Sequence, residues 1–303
     1  MLDVSRNTSN SSLSIVCNGA TERIVHLPKR KLVPNRMMLL IACLLSAAIL
    51  IAIVIAGIMF HGIATQTDFT LKNLPPSLEH PFGTDWMGRD MLARTLAGLS
   101  LSIFIGLLAA VISSFIALIL GSVAALGGKK ADSVITWLID LMMGIPHIIL
   151  LILISFALGK GFVGVTIGVA LTHWASLTRV IRAEILQCKQ SKFVAVAYRL
   201  GQSRLQVAVK HMLPYILPQF IVGMILLFPH AILHEAAITF LGFGLTPEQP
   251  AIGIILSESM SYLSAGMWWL AVFPGLSLIA VVMLFDAVGS SLRRLIDPMS
   301  SQE

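Results

Sequence analysis

Residues 192–214, KFVAVAYRLGQSRLQVAVKHMLP, lie between two long apolar runs, and their reading decides the fold. Lys192, Arg199, Arg204 and Lys210 make the stretch basic, and Arg179, Arg182 and Lys189 stand just before it. It reads as two short helical halves broken at Gly201 and ended by Leu213-Pro214. A charged amphipathic segment flanked by membrane-length apolar runs has to lie outside the bilayer, and its positive charge assigns it to the cytoplasmic side. A folded cytoplasmic loop in so apolar a chain points to a docking surface for a partner.

The composition carries this outward. Of 303 residues 56% are hydrophobic and only 12% charged, about half the charged fraction of a soluble domain. Several runs reach the roughly 20 residues that cross a hydrocarbon core as a helix. The expected class is an all-α integral membrane protein with lipid around it. The net charge of +6 fits positive-inside topology. No basic face with aromatic platforms is present, which argues against nucleic acid as a partner. Cys17, Cys43 and Cys188 are scattered and lack CxxC spacing, so neither a disulfide framework nor a structural zinc site follows.

Six spans are expected, at about 37–60, 100–126, 133–158 (kinked at Pro146), 162–181, 214–241 and 267–292. Residues 1–36, rich in Ser and Asn, read as a partly disordered cytoplasmic tail, residues 37–298 as the six-helix domain with a central loop at 182–213, and 299–303 as a short C-terminal tail. The semi-apolar piece 251–263 is too short and polar for a seventh span and reads as interfacial or re-entrant. With six spans, 17 of the 21 lysines and arginines fall on one side, leaving Lys72, Arg89, Arg94 and Lys160 on the other. That split makes both termini cytoplasmic.

Enzyme signatures are missing. Gly128-Lys129 lacks the other residues of a phosphate-binding P-loop, and neither HExxH nor GxSxG occurs. The chain is therefore expected to bind no nucleotide and no cofactor, and energy for transport has to come from elsewhere.

The central loop resembles the cytoplasmic EAA loop of binding-protein-dependent ABC importer permeases. Ala197, Gly201 four residues on, and Leu213-Pro214 match that family's pattern, while Val196 replaces its first alanine and Lys192 stands where Glu is common. The resemblance implies a coupling helix that docks on a cytoplasmic ATPase, with Gly201 allowing a tight turn and Ala197 letting the partner approach closely. Further motifs narrow the match to the peptide/nickel permeases. Gly83-Thr84-Asp85-x-x-Gly88-Arg89-Asp90, followed by Arg94, is similar to their GTDxxGRD signature, with Ala93 at a usual Ser. Phe240-Leu241-Gly242-x-Gly244 is similar to FLGLG, Gly253 fits a following glycine although Ile252 replaces a usual Trp, and Leu292, Arg293 and Asp297-Pro298 resemble the family's ending. Over about 37–298 the chain resembles a C-type subunit. The type I ABC importer permease fold follows from that resemblance, as do a bacterial inner-membrane location, a second homologous permease, one or two ATPases that carry ATP and Mg, and an extracytoplasmic solute-binding protein. The 83–90 motif reads either as a structural turn held by an Arg–carboxylate pair or as a lip or gate that meets the binding protein.

The substrate question turns on histidines. His230 and His234 stand four apart on one helical face, with Glu235 pointing about 100° away. Ionisable residues within a span mark paths or partners, and neutral imidazole suits nickel and other transition metals. The three residues are candidates for the substrate path, and His230 and His234 for a transient metal contact. Two other readings stand beside it: hydrogen bonds across the permease interface, and contact with an anionic metal chelate. The H-x-x-x-H spacing, with His173-Trp174, is more similar to nickel-type than to peptide-type permeases, while His147 reads as helix packing. The expectation is import of nickel or another transition metal, free or chelated, with di- or oligopeptides as the alternative. A secondary transporter would need repeats and buried mid-membrane carboxylates and gives the central loop no purpose; a non-transporting scaffold leaves that loop unexplained too.

Overall fold

The computed structural model describes residues 36–296. The tail at 1–35, the Asp297-Pro298 ending and residues 299–303 lie outside them. Among the described residues the chain is helical, and extended pairing is confined to one antiparallel bridge between Thr84 and Asp90.

Helix α1 (Arg36–Met59) and the short α2 (His61–Thr65) lead into a loop with a 3-10 turn at Phe69–Leu71. Then come α3 (Met91–Leu126), α4 (Lys129–Gly144), α5 (His147–Ala157) and α6 (Phe162–Lys189). Helix α7 (Lys192–Arg199) is the first half of the central loop. Helix α8 (Arg204–Val207) runs through a π-helical turn, Ala208–Met212, into α9 (Leu213–Phe240). Helices α10 (Ile252–Leu263) and α11 (Trp269–Ile296) complete the chain.

Among the described residues four helices are long and apolar enough to cross a membrane: α1, α3, the continuous 204–240 rod, and α11; α4 with α5 makes a fifth if counted as one broken span. The remaining expected span, the fourth at about 162–181, corresponds to α6. It has 28 residues, but His173, Arg179, Arg182 and several threonines dilute its hydropathy. It needs no uniformly apolar surface, because α3, α5 and α9 pack around it.

Helix packing follows from small residues. Without a hydrophobic force between helices inside lipid, contact depends on close backbone approach. In α3, Ser113, Ala117 and Gly121 recur every four residues and are fully or nearly fully buried. A Cβ on Gly121 would stand 2.9 Å from Ile181 Cγ2 and 3.1 Å from the Thr178 carbonyl of α6. Gly57 seats α1 in the same way, since its Cβ would meet Leu96 O at 2.3 Å. Most of the remaining surface of α1 (Ile41, Leu44, Leu45, Ile51, Ile58) is exposed, as suits a lipid-facing helix.

Three expectations change. The third span is two helices at 96°, not one kinked helix. Pro146 has no N–H to donate and forces Ile145 into an extended conformation (ψ 134°), so α4 ends at Gly144. Helix α3 starts at Met91, nine residues before the expected 100, because the Asp90 carboxylate caps it through the Ala93 amide at 2.8 Å. The central loop is shorter than 182–213: α6 takes in residues to Lys189 and the α9 rod begins at Arg204.

Candidate functional site: a capped loop, a clasp and a histidine-lined cavity

The turn at Gly201 is a Schellman cap on α7. Gly201 N donates to Tyr198 O at 3.0 Å, Gln202 N donates to Ala197 O at 3.2 Å, and Gly201 has φ +79°. These bonds define the motif, and the left-handed residue in it is normally glycine. The spacing of four from Ala197 to Gly201 is thus the cap's own spacing. Ser203 then starts α8 with a capping box shared with Gln206, and His211 Nε2 meets Gln202 Oε1 at 2.8 Å.

Ala197 faces inward. It is 4% exposed and packs in a core with Cys188, Val194, Val207 and Met212. Its small size draws α7 onto its own chain, so it does not serve as the close-approach point for a partner. The outward surface is made by Val196, Leu200 and Leu205, at 53%, 75% and 74% exposure, with Phe193 beside them and Lys192, Arg199 and Arg204 around them. Val196, the departure from the usual alanine, is on this outer face. Leu213 is partly exposed, and Pro214, which has no N–H to donate, follows directly on the π-helical turn within the 204–240 rod.

Before the start of α3, a helix of 36 residues and so about 54 Å long, the Gly83–Asp90 motif folds as a clasp. Gly83 (φ +75°) and Gly88 (φ +73°) take left-handed backbone, and a Cβ on Gly88 would sit 1.7 Å from Asp68 O. Asp68 caps the 3-10 turn, and hydrogen bonds from the Thr70 hydroxyl and amide hold its carboxyl below the usual range. Thr84 Oγ1 donates to Leu71 O and accepts from Leu74 N. Asp85 Oδ1 accepts from the amides of Met87 (2.8 Å) and Arg89 (2.9 Å), while Oδ2 accepts from Arg89 Nε (2.6 Å) and Arg94 Nη1 (2.5 Å). Asp90, besides capping α3, meets His80 Nδ1 at 2.8 Å. The residues are spent on each other, as a structural turn requires.

The partner that closes this clasp is Glu258 of α10, which sequence reasoning missed. Its Oε2 accepts from Arg94 Nη1 and Nη2, both at 3.0 Å. Its signal was a single acid inside the semi-apolar run 252–263. The run forms α10 and packs against α9 and α11, with Ile252, Gly253, Ile254 and Ile255 buried. The FLGFG segment closes α9 with a second Schellman cap, in which Phe243 N donates to Ile238 O and Gly242 has φ +81°. Gly244 O then accepts from Gly161 N at 3.0 Å.

Between the two ends, a cavity of about 600 Å³ opens beside the α4–α5 break, lined by Met142, Pro146, Thr172 and four histidines among others. His147, His173 and His234 bring one ring nitrogen each to within 4.8 Å of the other two. His230 lines the cavity outside that trio and contributes its carbonyl, which accepts from His234 Nδ1 at 2.7 Å. His147, expected to serve helix packing, is a member of the trio. Glu235 is fully buried away from the cavity lining and accepts from Thr239 Oγ1 at 3.0 Å. The distance of His147 from His234 along the chain hid their meeting.

Comparison with known proteins agrees with this arrangement. Residues 117–301 match the family model described as the binding-protein-dependent transport system inner membrane component. The dipeptide transport system permease protein DppC of Bacillus subtilis (strain 168) is 32% identical over 238 residues, 78% of this chain and 74% of that protein. The oligopeptide transport system permease protein OppC of the same organism is 32% identical over 255 residues, 82% and 83% of the two chains. Among solved structures, an inward-facing conformation of the MetNI methionine ABC transporter superposes with a TM-score of 0.58 at 17% identity, covering 68% of this chain and 98% of that one. The fold is therefore the type I ABC importer permease fold, and the location is the bacterial inner membrane. The chain belongs to the inner-membrane components of binding-protein-dependent transport systems and is a permease subunit of an ABC importer.

Proposed function

We propose that this chain forms the membrane path of an importer for di- or oligopeptides. A second, homologous permease completes the path, cytoplasmic ATPases drive it, and an extracytoplasmic binding protein delivers the cargo. Both termini lie in the cytoplasm in this arrangement. The observation that carries the coupling is α7 with its cap: the inner face of the helix is locked into the core, while Val196 on its outer face, Leu200 at the cap and Leu205 of α8 are exposed among basic residues. Such a face fits a groove on a partner. Closure of the ATPase dimer on ATP and Mg, held by those partners, pushes on α7 and rocks the permease between two packings. The peptide class is supported by the relatives named for dipeptide and oligopeptide transport, which do not favour nickel. What speaks for a metal in the cargo is the histidine trio, considered below. The test is uptake of a labelled dipeptide in cells with and without the chain. Chain-dependent accumulation is expected; equal uptake with the partner subunits present would contradict the peptide reading.

A further inference from the structure

We propose that His147, His173 and His234 form a transit site for a first-row divalent transition metal ion on the wall of the cavity, with the ion carrying its own anionic ligand on the cavity side. The inference rests on the permease reading, because it treats that cavity as part of the path.

Three separate segments supply the three rings: the start of α5, the middle of α6 and the second half of α9. The rings meet edge to face, with centroids 4.4, 4.6 and 5.0 Å apart. Polar rings placed inside an apolar bundle are costly unless partnered. The partners present are those that prepare ligands. His173 Nδ1 meets Val169 O at 2.8 Å and His234 Nδ1 meets His230 O at 2.7 Å, each one helical turn back. A carbonyl accepts, so both Nδ1 atoms carry the proton and both Nε2 atoms keep a lone pair, the usual outer-shell arrangement behind a ligating histidine; the His173 Nε2 lone pair faces His234 Nδ1 at 3.3 Å, a contact that an entering ion would replace. His147 Nε2 is buried and has no hydrogen-bond partner. Three imidazoles and a vacant fourth position suit Zn, Ni, Co or Cu more than the hard cations that take oxygen.

The spacing tells what kind of site this is. Donors at about 2.0–2.1 Å from one ion stand roughly 3.3 Å apart, whereas these reach 4.8 Å. The site is open, and its widest donor pair closes by about 1.5 Å around an ion. His147 can make that movement because the Pro146 break leaves it at the free start of α5. An open, three-ligand site releases its ion readily, as transit demands. The cavity-lining residues among those described include no carboxylate, so a bare dication would enter with its charge uncompensated. An ion complexed by a small anionic ligand avoids that cost.

The importer complex, purified through a tag on this chain and held in lipid nanodiscs, would be titrated with Co²⁺ in the presence of equimolar citrate. Protein-dependent ligand-field bands in the visible range are expected. Apparent affinity is expected to fall at least tenfold in His147→Ala and in His234→Ala, and to stay within twofold in His230→Ala. His147→Ala removes a ring whose Nε2 has no hydrogen bond to lose, and matched melting curves separate lost binding from the loss of its contacts with the other two rings. Co²⁺ without citrate is expected to bind at least tenfold more weakly. Absent bands, or bands unchanged in both trio variants, would overturn the site, and equal binding without citrate would overturn the complexed ion. Peptide-stimulated ATP hydrolysis on the same sample separates the two readings: bands absent with stimulation intact rejects the metal site and leaves the permease.

Discussion

Arg94 is 2% exposed, and its guanidinium is shared between Asp85 and Glu258. Removing one member of a buried ion pair leaves the other uncompensated, at a cost of about 3–5 kcal/mol. Arg94→Ala is therefore expected to destabilise the chain by that order, read as a lowered melting temperature in detergent. Glu258→Gln is expected to cost less, since Glu258 is 25% exposed and its amide oxygen can still accept. An unchanged melting temperature in Arg94→Ala would show that the clasp is not structural. At this scale the sequence was informative where a residue's role is local. Gly201 takes left-handed backbone, in keeping with the tight turn expected of it, and Gly83 and Gly88 take it too. It was silent on Glu258, because a contact spanning 164 residues leaves no periodic trace. It misjudged Ala197, because a small residue at an interface reads the same whether the neighbour is another chain or its own core.

Among the elements, the apolar runs were legible and their ends were not. The start of α3 depended on Asp90, a capping residue inside what looked like a polar segment. The split between α4 and α5 depended on how far Pro146 would turn the chain, which periodicity does not encode. Helix α10 is the clearest case. Its composition fits an interfacial helix, yet tertiary packing seats it through Gly253, where a Cβ would stand 2.4 Å from Ala236 O and 2.7 Å from Thr239 Cβ of α9. Gly253→Val is accordingly expected to push α10 off α9 and loosen the Glu258 contact, with a loss of roughly 1–3 kcal/mol from overpacking. Denaturation of the purified variant would check it, and wild-type stability would mean that α10 is not held there.

For the whole molecule, the two ends of α3 divide the labour. The clasp and α10 close one end, the α7 loop projects at the other, and the cavity with its histidines lies between. The membrane class and the permease family were readable from composition and from four ordered motifs. The substrate was not, because the three rings that face the cavity come from three helices and meet only in the fold. The central claim is that motion enters through α7, and Gly201 is its most exposed test. Its Cβ would meet nothing within 4 Å among the described residues, so a substitution there acts through the φ of +79° and the docking surface alone. A β-branched residue is poorly accommodated at such a φ, at a cost of roughly 1–2 kcal/mol. That reshapes the turn while leaving the core intact. The decisive measurement is ATP-dependent dipeptide uptake by the reconstituted importer carrying Gly201→Val. At least a tenfold loss of uptake is expected, with the melting temperature of this chain lowered by only a few degrees. Uptake at the wild-type rate would contradict coupling through this loop.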